Sequence, residues 1–106
     1  MDDIVKLIQS LGLPFAYDHF APGAAPDPPF ICYFTPETHP FAADGRIYLQ
    51  VNLWNIELYT NQKDPKLEAL LEEKLAAAEI FFEKSEVYIE HEHLFLVLYS
   101  FEMKGN

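Results

Sequence analysis

Basic residues are scarce in this chain. Seven lysines and arginines stand against 17 acids, for a formal charge of −10, and Arg46 is the sole arginine. Between Leu7 and Gly45 there is no lysine or arginine. A nucleic-acid binder needs a basic patch to displace counterions from phosphate. The sequence therefore argues against direct, sequence-specific binding of DNA or RNA, and equally against an anionic membrane surface. Cysteine is nearly absent too. Cys32 is alone, so no intrachain disulfide can form, which fits a reducing compartment. The segment MDDIVKLIQSLG starts with two acids and has no basic flank or apolar run of a signal peptide. The charge-free stretch from Leu94 to Phe101 is far shorter than the roughly 20 residues a membrane helix needs. These features predict a chain made in the cytoplasm without a membrane span.

Catalytic signatures are also missing. The serines are Ser10, Ser85 and Ser100, and none lies in a G-x-S-x-G setting. There is no phosphate loop and no dinucleotide fingerprint. Acids are numerous, but no short motif fixes a pair at the spacing glycoside hydrolysis requires. Cys32, inside FICYF, reads as a small buried hydrophobe, because a nucleophilic thiol wants an electropositive, partly exposed setting. His91 and His93, with Glu90 and Glu92 around them, are the one metal-like cluster. On a strand the two imidazoles would share a face, with Cys32 or His19 as a further ligand, but four recognisably spaced ligands are not there. The expectation is no enzyme, no cofactor, no metal and no catalytic residue.

What is present fills a core. Half of the 106 residues are hydrophobic and 15% are aromatic. That is one domain's worth of chain, burying roughly two thirds of its unfolded surface. Ile4, Leu7, Ile8 and Leu11 recur at helical spacing, and Gly12 and Pro14 end a short helix over residues 1–11. FAYDHF (15–20) reads as a short strand and FICYF (30–34) as a buried one. APGAAPDPP (21–29) and TPETHPFAADG (35–45) read as loops, the second closed by an Asp44-Gly45 turn. IYLQVNLWNIELYT (47–60) is the clearest strand. Its apolar parity flips midway, which predicts a β-bulge at Trp54-Asn55, with a tight bend between two strands as the alternative. In residues 61–79, Asp64 at the N-cap and Pro65 at the first helical position start a second helix. Its apolar stripe is Leu67, Leu70, Leu71, Leu75 and Ala78, with Glu68, Glu72, Glu73 and Lys74 facing away. Residues 80–103 read as a hairpin turning at HEH (91–93). The fold class is α+β: a single mainly antiparallel sheet with a bulged long strand and a C-terminal hairpin, packed against a short N-terminal helix and one longer helix.

Three aromatics stand out as candidate protein contacts. Tyr48 and Trp54 lie on the strand face opposite Ile47, Leu49, Val51 and Leu53, where they would be exposed or under a partner unless helices cover both sheet faces and bury them. Phe41 sits in the second predicted loop, and an exposed Phe at a loop tip signals insertion elsewhere.

Several strings carry a family resemblance: PFAYDHF (14–20), PPFICYF (28–34), PFAADGRIY (40–48), NIELYTNQKDPKLEALLE (55–72) and KSEVYIEHEHLFLVLYSFEM (84–103). Together they span nearly the whole chain and resemble short proteins of phages and prophages of Gram-positive bacteria. Those are similar to tail-completion proteins of long-tailed phages, also called tail terminators or tail-to-head joining proteins. The resemblance implies an α+β subunit assembling with itself as a hexameric ring. It implies contacts with the tail tube protein on one side and the head connector or stopper on the other. It places the protein in the host cytoplasm during assembly and then at the tail–head junction of the virion. It brings no catalytic residue. An acidic wall suits a channel that DNA must leave without sticking, since it repels phosphate. Other readings remain: a different head–tail connector or adaptor component, an acidic DNA-mimic inhibitor, or a small metal-dependent enzyme using His91 and His93.

Overall fold

The structure is a computed structural model that describes the backbone of residues 2–43 and 46–105, and the side chains of residues 3–35 and 52–103. The elements in chain order are α1 (Asp2–Gln9), β1 (Phe15–Tyr17), β2 (Phe30–Ala43), β3 (Arg46–Thr60), α2 (Pro65–Ala77), β4 (Phe82–Ile89), a 3₁₀ turn at Glu90–Glu92, and β5 (Leu94–Gly105). The strands form one five-stranded sheet in the order β1-β2-β3-β5-β4. Every neighbouring pair is antiparallel except β1 with β2. The α+β fold read from the sequence is the observed one.

Both helices lie on the same face of the sheet. Successive strand residues point to opposite faces, and along β3 the buried ones are Trp54, Ile56, Leu58 and Thr60. Directly across on β5, Phe101 pairs with Trp54, Tyr99 with Ile56 and Val97 with Leu58. These side chains, with Ile31 of β2, join Ile4 and Ile8 of α1 and Leu71 and Leu75 of α2 in one cluster. Ile4/Ile8 and Leu71/Leu75 are each one helical turn apart, so each helix offers a single ridge to the sheet.

Helix α2 begins as its sequence predicts. The Asp64 carboxylate accepts a hydrogen bond from the Leu67 N–H at 3.1 Å, with Pro65 next in line. The apolar stripe is narrower than expected: Leu70 is 41% exposed. Glu68 differs more, since it is only 4% exposed rather than turned to solvent. The cause lies on β4. Lys84 reaches up from the sheet to Glu68 (2.9 Å) and Glu72 (2.7 Å), while Lys63 holds Glu68 at 2.7 Å and also pairs with Glu86. Tyr99 adds its hydroxyl to Glu72 at 2.7 Å. Burial pushes the Glu68 and Glu72 carboxyls up. Hydrogen bonds from Lys63 and Lys84 to Glu68, and from Lys84 and Tyr99 to Glu72, outweigh that and hold both below the usual carboxylate range.

Residues 35–43 are strand rather than loop. β2 continues through Pro36 and Pro40 to Ala43. Proline is tolerated here because β1 covers β2 only at Ile31–Tyr33, so the missing N–H groups fall on an edge. The bulge predicted at Trp54-Asn55 of β3 lies across the ladder from it, on β2, and β3 has its own extra residue at Tyr48. The ladder of β2 with β3 shifts between Phe34 and Glu37, where Thr35 and Pro36 together oppose Trp54. β3 itself pairs with β5 without a break from Gln50 to Thr60. Ala43 pairs with Arg46, and the Asp44-Gly45 turn between them lies outside the described residues. β2 and β3 thus continue past the helix-covered core as a ribbon. The molecule is elongated, 51 × 31 × 22 Å, with a radius of gyration of 15.2 Å, against about 13 Å for a compact chain of this length.

Helix α2 closes on a Schellman arrangement. The Ile80 N–H donates to the Leu75 carbonyl and the Glu79 N–H to that of Ala76, both at 2.9 Å. The residue in the left-handed conformation is Glu79, with φ +60°. Glycine is the usual occupant, because a Cβ is strained there. Replacing Glu79 by Gly should therefore stabilise the fold by about 0.5–1 kcal/mol, read as a higher urea midpoint at unchanged slope.

Candidate interaction face

With both helices on one side, the other side of the sheet has no helix over it. Its residues follow from the registers. Phe30, Cys32 and Phe34 of β2 stand opposite Tyr59, Glu57 and Asn55 of β3, and those in turn stand opposite Leu96, Leu98 and Ser100 of β5. Part of this face is sealed by aromatics. Phe30 stacks on Tyr59 at 4.9 Å and meets Phe20 edge-on at 5.4 Å. Phe34, Leu53, Leu96 and Leu98 remain partly exposed.

Glu57 lies in the middle of this surface. It accepts a hydrogen bond from the Tyr59 hydroxyl at 3.0 Å and sits directly opposite Cys32. None of the ion pairs among the described residues includes it. Burial pushes its carboxyl above the usual range; Tyr59 works against this and the Asp18 charge adds to it. The same surroundings act on the neighbours. Burial, then the charges of Glu57 and Asp18, push the Cys32 thiol up to about 11. The Tyr59 phenol is raised as well, by burial and by Glu57. A thiol so raised stays protonated at neutral pH and is a poor nucleophile. The arrangement is an apolar surface with one half-buried negative charge at its centre.

The three aromatics predicted as contacts separate. Trp54 is 3% exposed and belongs to the core, stacked on Tyr33 at 6.3 Å and 19°. It is not an exposed contact residue. Trp54, Ile56, Leu58 and Thr60 of β3 face the helices, and Leu53 is on the uncovered side. Phe41 is in strand, opposite Leu49, rather than at a loop tip. Tyr48 falls at the second shift of the β2–β3 ladder, between the pairs Phe41–Leu49 and Ala42–Ile47. The side chains of Phe41 and Tyr48 lie outside the described ones.

His91 and His93 occupy the turn between β4 and β5, not a shared strand face; His93 takes a left-handed conformation with φ +55°. Tyr88 lies 3.5 Å from the His93 ring, and His91 3.5 Å from Glu92. Among the described residues no three His, Cys, Asp or Glu side chains come together as a metal group. No helix among them is long and apolar enough to cross a membrane.

Neither protein-family models nor curated proteins give a match to this chain.

Sequence reasoning passed over Glu57. The signal was its parity: Asn55, Glu57 and Tyr59 alternate with Trp54, Ile56 and Leu58, so polar atoms had to lie on the face away from the core. A carboxyl whose folded-state pKa is raised binds its proton more tightly in the folded chain. The protein therefore loses stability as pH rises from the unfolded value, 4.5, through the folded one. Glu57→Gln keeps the Tyr59 hydrogen bond and removes that loss. Urea denaturation should show the variant more stable than wild type at pH 7, with the difference vanishing below pH 4.5.

Proposed function

We propose that this protein is a structural subunit of the tail–head junction of a long-tailed phage, assembling as a ring that ends the tail tube and joins it to the head connector. The observation that carries the contact role is the one-sided fold. A sheet covered by both helices on one face presents a stiff, partly apolar second face and a β2–β3 ribbon reaching beyond the core. Surfaces of that kind serve protein interfaces. The tail-specific part of the reading comes from the sequence resemblance across residues 14–103.

The charge supports the same reading. At −10 the subunit is a poor match for direct DNA binding and a suitable wall for a DNA channel. Glu68, Glu72 and Glu86 are tied up by Lys63 and Lys84. That weighs against the DNA-mimic alternative, which needs free carboxylates in phosphate-like rows. In this reading the subunit is made in the host cytoplasm and ends in the virion, with a second copy, the tail tube protein and the head connector as partners.

Deleting the gene from a phage that carries it should leave DNA-filled heads and separate tails, some overlong, in electron micrographs of lysates. Normal joined particles would refute the junction role.

A further inference from the structure

β4 is an open edge of the sheet. Among the described residues its one strand neighbour is β5, and that ladder runs unbroken from Phe82–Phe101 to Ile89–Leu94. The edge therefore has neither proline nor bulge, two devices that keep edges from pairing. Of the five large hydrophobics exposed among the described residues, Val87 and Tyr88 are on this strand and Phe81, at 94%, immediately precedes it. Free backbone groups beside exposed apolar side chains make a strand-pairing surface.

The sequence of β4 indicates what pairs with it. In an antiparallel pair, residues directly opposite share a face, and like charges opposite each other are destabilising. Two copies of β4 related by a two-fold axis pair about one residue set against itself. An axis at Glu83, Lys84 or Glu86 sets a charge against its own copy. An axis at Val87 leaves only residues 85–89 of the strand overlapping. An axis at Ser85 sets Lys84 against Glu86 twice, Phe82 against Tyr88 twice and Glu83 against Val87 twice. One step further it brings Ile89 over Phe81, the most exposed of these apolar side chains.

We infer that β4 pairs antiparallel with β4 of a second copy of this chain, centred on Ser85, so that the two sheets become one. Lys84 and Glu86 already belong to the network that includes Lys63, Glu68 and Glu72. Pairing about Ser85 carries that network across the axis with alternating sign. Such a contact is isologous and closes at two copies. It cannot build a ring, so it describes the free protein and does not rest on the junction role.

The test is cross-linking. Residues directly opposite in an antiparallel pair have Cα atoms about 4.5–5.5 Å apart, within disulfide range. Ser85→Cys should give a covalent dimer on mild oxidation, while Cys32 is buried. Glu83→Cys should not, because its two copies are offset by four residues, about 13 Å. Sedimentation should show wild type dimerising with concentration. Val87→Glu, which faces Glu83 of the second copy, should weaken the dimer by roughly tenfold or more while the circular dichroism spectrum stays unchanged. A wild-type monomer at every concentration would overturn the inference. So would equal cross-linking of both cysteine variants, or a Val87→Glu protein that dimerises like wild type.

Discussion

Strand alternation along β3 is the constraint on which the rest of the molecule depends. Trp54, Ile56, Leu58 and Thr60 point to one side, and both helices dock there. That choice uses up α1 and α2 and leaves the opposite side of the sheet without cover. It also explains the change of apolar parity in the strand. The even positions from Trp54 onward belong to the core, whereas Leu53 lies on the other side. At Trp54 no break in β3 is needed: the irregularity there is in β2, which fits Thr35 and Pro36 against Trp54, while β3 carries an extra residue, Tyr48, at the second shift of the ladder.

A second constraint ties the edge to the helix. Lys84 of β4 and Lys63 before α2 share Glu68, and Glu72 and Tyr99 complete the set. Burying Glu68 alone would be costly; two lysines make it tolerable. The result fixes α2 over β5 and β4, and no buried side-chain polar atom among the described residues lacks a hydrogen-bond partner. On the other face Glu57 has a tyrosine hydroxyl but, among the described residues, no ion pair. One carboxylate serves packing, and the other carries its charge on an open surface.

Much of this architecture could be read from the residues. Asp64 and Pro65 marked the start of α2, Gly12 the end of α1, and His91–His93 the turn of the last hairpin, because capping and turn chemistry are local. What required three dimensions was the identity of each face. Trp54 looks like a contact residue until the helices are known to sit on its side. Pro36 and Pro40 look like loop residues until β2 is known to be an edge beyond Tyr33. Glu68 looks solvent-facing until Lys84 is placed beneath it by the β4–β5 register. Glu57 was legible in principle from parity, but its near neighbour Cys32 is 25 positions away in sequence and is brought opposite only by the β2–β3 ladder.

In the proposed role the uncovered face, and not the helix side, makes the contacts with the partner proteins. A pair of lysine substitutions tests it. Leu98 is partly exposed on the uncovered face, directly opposite Glu57, so a lysine there gains a carboxylate partner and the fold should survive. Leu70 is exposed on α2. Under the proposed junction role, each variant is supplied from a plasmid to a phage lacking this gene and infectious particles are counted. Leu98→Lys should fail to restore them although it melts like wild type, and Leu70→Lys should restore them fully. Full rescue by Leu98→Lys together with failure of a folded Leu70→Lys would contradict the account and move the working surface to the helices.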